Sequence, residues 1–184
     1  MSKQSSKVLV IDASIARSAG PPHSNHPTSS NCRNFLENVL VICHRIAMTP
    51  EIRREWDEHQ SRFAREWLRR MIAKRKLCPL KNLVSDKRLW TTLENIAQTD
   101  QQRAQIVKDI HLLEAALASD KIVISLDENT AHKFFDKAAQ TIIELQKITW
   151  VNPDRIEEEE PISWLKNGAK PDKNRLLGCN LAKE

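Results

Sequence analysis

Four acidic residues of this chain stand where a soluble protein gains least from placing them. Asp12 ends the apolar run VLVI, and Asp127 follows KIVISL. Both runs have the length and β-branched composition of buried strands in a parallel sheet. Ligands of such sheets bind in the crevice at the carboxyl ends of the strands, so two strand-terminal aspartates share one crevice if their strands are neighbours. Asp109 falls inside the apolar stripe that Ile106, Ile110, Leu113 and Leu117 draw on a helical wheel. Glu55 lies at the edge of a helix face set by Ile52, Trp56, Phe63 and Trp67.

Singly, each acid has an ordinary account: a turn acid at 12, a surface acid at 55, a salt-bridged core acid at 109, a helix cap at 127. Together they point to chemistry. An unpartnered buried carboxylate is costly. Two carboxylates ~4 Å apart repel by roughly 4 kcal/mol at an effective dielectric of ~20. A cluster of acids therefore shares protons or holds a cation. All-oxygen ligation suits Mg²⁺ or Mn²⁺. These ions activate water and bind phosphate oxygens, which is the chemistry of phosphodiester hydrolysis.

The elements that must position these acids follow from pattern and punctuation. VLVI, RIAMT, KIVISL and KITWV read as four strands. The Pro- and Ser-rich residues 18 to 31 read as a long loop, with Asn31 capping a helix through FLENVLVIC. Thr49 and Pro50 start a helix that is expected to run to about Lys76, where Pro79 ends the segment. Ser85 or Asp86 opens a further helix, Thr99 or Asp100 a longer one through IVKDIHLLEAALA, and ENTAHKFFDKAAQTII reads as another. Strands separated by helices imply parallel strands joined by crossovers. The expectation is one α/β domain over residues 1–184. It has a core at about 7–152, a helical insert at about 56–100 and a tail at 153–184 that carries the acidic run Glu157 to Glu160.

With 40% hydrophobic and 29% charged residues the chain has the balance of a soluble globular protein. No apolar run approaches the ~20 residues of a membrane span. The polar start MSKQSSK has no hydrophobic segment, which argues against a secretory signal. The four cysteines have no CxxC spacing and read as reduced thiols of a cytoplasmic protein, with Cys43 and Cys78 in apolar, core-like settings. His23, His26 and Cys32 lack the second ligand pair of a structural zinc site. A net charge of +5 favours a polyanionic partner. Arg62, Arg65, Arg69, Arg70, Lys74 and Arg75 concentrate that charge, as a phosphate-contacting surface or as a solvated helix face. Trp56, Phe63 and Trp67 share the core side of that region, which favours packing over base stacking.

KVLVIDAS, TPEIRREW, DIHLLEAAL and IVISLDENT, in this order and strand context, resemble the PIN-domain ribonucleases, a family that includes toxins of bacterial toxin–antitoxin pairs. The resemblance spans roughly residues 7 to 152. It implies a three-layer α/β/α sandwich with a central parallel sheet and an acidic pocket for Mg²⁺ or Mn²⁺. It also implies that Asp12, Glu55, Asp109 and Asp127 are catalytic, in preference to Glu51 and Asp120 at the second and third positions. Asp12, Asp109 and Asp127 would be the metal ligands, with Ser14 and Ser125 as supporting hydroxyls. An RNA substrate, an antitoxin protein and a homodimer are the implied partners. The chain departs from a compact toxin in its longer helical region at 56–100 and its Pro/Ser loop at 18–31. Competing readings are a nucleic-acid-binding or protein-interaction module of PIN-like fold without catalysis, and a phosphoaspartate phosphatase. The second wants another Asp two positions after Asp12, where this chain has Ser14.

Overall fold

The computed structural model of the protein describes residues 6–179; residues 1–5 of the polar start and 180–184 of the tail lie outside the described residues. Strand β1 is Val8–Ile11 and leads into a short helix α1, Ala13–Ser18. Helix α2 is Pro27–Val41, strand β2 Arg45–Met48, helix α3 Pro50–His59 and helix α4 Arg62–Ala73. Strand β3, Leu77–Pro79, precedes α5, Lys87–Ile96, and the long α6, Asp100–Leu117. Strand β4 is Ile122–Ile124, followed by a π-helical turn Glu128–His132, α7 Lys133–Ala138 and β5 Thr149–Val151. Two short helices close the described tail, α8 Ile156–Glu159 and α9 Pro161–Lys166.

The strands form one five-stranded sheet in the order β3-β2-β1-β4-β5, every pair parallel. Helices flank it, with α1, α2 and α4 packed on one another and α6 on β1, β2 and β4, giving the three-layer α/β/α sandwich. Leu9, Val10 and Ile11 are buried, as are Ile122, Val123 and Ile124, which is why these runs are continuously apolar rather than alternating. The chain moves outward from β1 through β2 to β3, then returns to the other side of β1 for β4. That reversal falls between β1 and β4. Among the described residues no helix is long and apolar enough to cross a membrane.

Several boundaries differ from the sequence reading. The expected single helix from Thr49 to about Lys76 breaks at Gln60 and Ser61. Ser61 caps α4 by accepting from the Ala64 N–H at 3.0 Å, while its own N–H donates to Ala16 O at 3.0 Å and its hydroxyl donates to Ala19 O. These ties to α1 take the place of helical hydrogen bonds that continuity would have kept. The loop expected at 18–31 ends earlier, because Pro27 takes the first helical position of α2. Asn31 is therefore inside the helix, donating to Asp154 of the tail at 2.8 Å.

A fifth strand, β3, stands where a stop at Pro79 was expected. It is an edge strand, where proline costs no ladder bond. Helix α7 also ends at Ala138, short of the expected stretch to Ile143. The tail covers the other edge, with Leu176 bridging Thr149 and the Trp150 N–H donating to Arg175 O at 2.8 Å. None of the four cysteines forms a disulfide. Cys43 is exposed and Cys78 half-buried, whereas Cys32 is the buried thiol, pushed up to about 12 by burial.

Trp56 and Trp67 are core residues, as their stripe predicts, and stack with ring centroids 5.8 Å apart. Each indole N–H reaches a carbonyl, Trp56 that of Ile11 at 2.9 Å and Trp67 that of Leu36 at 2.6 Å. Replacing Ser61 with Ala removes the α4 cap and the tie to Ala19. Urea unfolding should show a loss of about 1–2 kcal/mol with an unchanged slope.

Candidate active site

Asp12 follows β1, and its N–H continues the sheet by donating to Ile124 O at 2.9 Å. It stands at the N-cap position of α1, yet its side chain makes no capping hydrogen bond. The carboxylate looks across to the neighbouring strand instead. Its Oδ2 accepts from the Ser14 hydroxyl at 2.5 Å and from the buried Ser125 hydroxyl at 2.7 Å. Ser14 Oγ in turn accepts from the Leu126 N–H at 3.2 Å, and Ser125 Oγ from the Asp127 N–H at 3.1 Å. Two hydroxyls thus stitch the end of β1 to the segment after β4.

Asp127 caps the π-helical turn. Its Oδ1 accepts from the N–H groups of Thr130 at 2.9 Å and Ala131 at 3.1 Å, and the Thr130 hydroxyl lies 2.5 Å from both carboxylate oxygens. Burial pushes this acid's pKa up. The Thr130 hydroxyl, the two N–H groups and the Lys108 charge outweigh it, so the pKa lies below the ordinary carboxylate value.

Glu55 reaches the same region because α3 meets α6 beyond the sheet. It is 24% exposed, and its Oε2 lies 3.2 Å from Nε2 of the buried His111. That nitrogen is outside hydrogen-bond geometry, so the contact is an ion pair when His111 is protonated rather than a directed bond. Burial works against charge on His111, but Glu55, Asp109 and Asp12 together raise its pKa above the ordinary histidine value.

Asp109 is 4% exposed, as its place in the apolar stripe predicts. Its Oδ2 accepts from the Gln105 amide. Burial is the main reason its pKa is pushed up to about 7. Lys108 opposes the shift and the nearby Asp12 charge adds to it.

A cavity of about 530 Å³ opens at the sheet reversal. Asp12, Glu55 and Asp127 line it together with Glu58 and Glu128, and Arg17, Arg54 and Lys108 supply its positive charge. Asp109 is not among the lining residues; it sits behind the wall. The site therefore brings together three of the four expected acids and keeps the fourth within electrostatic reach.

The six expected nucleic-acid-binding residues Arg62, Arg65, Arg69, Arg70, Lys74 and Arg75 are all exposed, and none of them lines the cavity. Arg65 and Arg69 border a separate groove with Arg53 and Gln60, and Arg62 pairs with Glu66 at 3.2 Å. The cavity's own cations had no distinguishing signal in the sequence. His111 had a weak one, the adjacent apolar pair Leu112 and Leu113, which marks this half of α6 as buried nearly all round.

A scan against protein-family models finds no match to the chain, and a search of curated proteins finds none either. The donors fit a hard divalent cation in kind, being carboxylates and hydroxyls. As the side chains stand, no three of His, Cys, Asp and Glu close on one point among the described residues.

A carboxyl whose folded pKa exceeds its unfolded one costs stability as pH rises between the two values. For Asp109 that window runs from the ordinary aspartate value of 3.8 to about 7. Asp109→Asn should therefore stabilise the protein by an amount that grows from pH 4 to pH 7 and is constant above. Urea unfolding at pH 5 and pH 8 checks this, and the gain at pH 8 should be on the order of 2–4 kcal/mol.

Proposed function

We propose that the protein is a metal-dependent endoribonuclease that hydrolyses RNA phosphodiester bonds in the cavity of Asp12, Glu55 and Asp127. One observation carries the reading. Aspartates following two neighbouring parallel strands line a single cavity at the sheet reversal, with Glu55 beside them and Asp109 buried close behind. Asp12 and Asp127 would hold Mg²⁺ or Mn²⁺ with Glu55 supporting, and Asp109, behind the wall, would act on the ion through water; such an ion, when bound, supplies an activated water and offsets charge on the scissile phosphate.

The chain's own groups do the positioning. Ser14 and Ser125 orient Asp12, Thr130 and two N–H groups fix Asp127, and His111 holds Glu55. Arg17, Arg54 and Lys108 attract the flanking phosphates, so RNA binding weakens as salt rises. Arg62, Arg65, Arg69, Arg70, Lys74 and Arg75 extend that field over α4. The choice of RNA over DNA rests on the resemblance to PIN-domain ribonucleases. An antitoxin covering the cavity, a homodimer and a cytoplasmic location belong to the same reading.

A second reading, a nucleic-acid-binding module without catalysis, is favoured by the absence among the described residues of three ligating side chains on one point. A nuclease assay on mixed RNA and DNA separates the two. With Mn²⁺ or Mg²⁺ the wild type should cut RNA, and Asp12→Asn and Asp127→Asn should each lose roughly 100-fold or more. Tight RNA binding with no metal-dependent cleavage selects the module. Equal cleavage by wild type and Asp12→Asn sinks the nuclease reading. Ser125→Ala, which removes a partner of a proposed ligand, should cost about 10–100-fold in activity or in metal affinity.

A further inference from the structure

We propose that a second cleft beside the acidic cavity binds one nucleobase of the RNA, adjacent to the bond that is cut. This rests on the reading of the cavity as the cleavage site. The cleft, of about 330 Å³, lies between the first turns of α6 and the start of α7. That volume is at the small end of the ~300–1,000 Å³ usual for ligand pockets. Gln101, Gln102 and Gln105 line one side, and Asn129 and Thr130 the other. Phe134, itself almost buried, adds an apolar surface, and the exposed Lys133 and Lys137 add positive charge.

Three observations point to a base. The lining contains no carboxylate, whereas the adjoining cavity has five, in Asp12, Glu55, Glu58, Asp127 and Glu128. Its occupant is therefore neutral or anionic, not a cation. Side-chain amides present a donor and an acceptor side by side, the pattern that reads the edge of an unpaired base. The side chains of Gln101 and Asn129, with those of Lys133 and Lys137, make no hydrogen bond or ion pair with the described residues, so these groups stand open to a ligand.

Asn129 lines both the cleft and the cavity. One strand of RNA can thus seat a base in the cleft and its neighbouring phosphate over the acids. The lysines flank the sugar–phosphate backbone on the far side. A duplex has its base edges paired, so the ligand class is single-stranded RNA.

The test uses the whole chain and two readouts. In the first, nitrogen-15-labelled protein in EDTA is titrated with ApA, CpC, GpG and UpU. The side-chain amide signals of Gln101 and Asn129 should shift most with one of the four, and Gln101→Ala should weaken that binding about fivefold. Gln101 is exposed, so the substitution leaves the fold intact. In the second, wild type and Gln101→Ala cut a randomised RNA pool with Mn²⁺. Wild type should prefer one base at a fixed position next to the cut, and the variant should lose about fivefold of that preference.

Cleavage by wild type with no shifts in the cleft and an unaltered preference overturns this inference and leaves the cavity reading standing. Shifts in the cleft without any cleavage overturn the cavity reading and keep the base site. Neither shifts nor cleavage overturns both.

Discussion

Like charges held side by side need a reason to stay, and the carboxyl edge of this sheet shows three ways of supplying one. Asp127 is ringed by donors, with two N–H groups and a hydroxyl on its oxygens, and its pKa falls although it is partly buried. Asp12 takes two hydroxyls on one oxygen. Asp109 has burial and a single amide, so its pKa climbs to about 7 and it takes up a proton more readily than Asp127. The acids are alike in type and unlike in environment. The crowding is tolerable because the environments spread the charges among different partners.

Backbone topology sets this arrangement before any side chain acts. The sheet reverses direction between β1 and β4, and the residues following those two strands meet across the reversal. The hydroxyls of Ser14 and Ser125 then hold the two chain segments together at that point. Glu55 depends on a different device. The break at Ser61, tied to Ala16 and Ala19, docks the end of α3 against α1, and α3 can then carry its glutamate to His111 on α6. A continuous helix from Pro50 to Lys76 would have lacked that anchor.

The parts of this design that depend on apolar pattern were legible in the sequence. VLVI and KIVISL identify their strands because both faces of a parallel sheet are buried, and Asp12 and Asp127 stand out against those runs. Asp109 is visible because a charge inside an apolar stripe breaks a periodicity of 3.6. What was not legible depends on tertiary placement. Strand β3 is three residues long at a sheet edge, and α1 is six residues, too short for a periodicity to register. Arg17, Arg54 and Lys108 look in sequence like every other basic residue, and only the packing of α1, α3 and α6 around one cavity sets them apart. The six basic residues of the α4 region had the stronger local signal through density of charge, yet density does not reveal which way a helix face points.

The cleft and the cavity are coupled by the side chains that line the former and hold the latter. Gln105 lines the cleft and donates to Asp109, and Thr130 lines the cleft and bonds Asp127. Burial raises the pKa of Asp109 while its donors lower that of Asp127, so the two residues act on oppositely shifted members of the same charge cluster. An occupant that draws the Gln105 amide toward itself leaves Asp109 without its hydrogen bond and more dependent on a proton. One that engages the Thr130 hydroxyl frees an oxygen of Asp127. Occupancy of the cleft and the protonation of the acids are therefore linked through two hydrogen bonds, and by linkage each must alter the other.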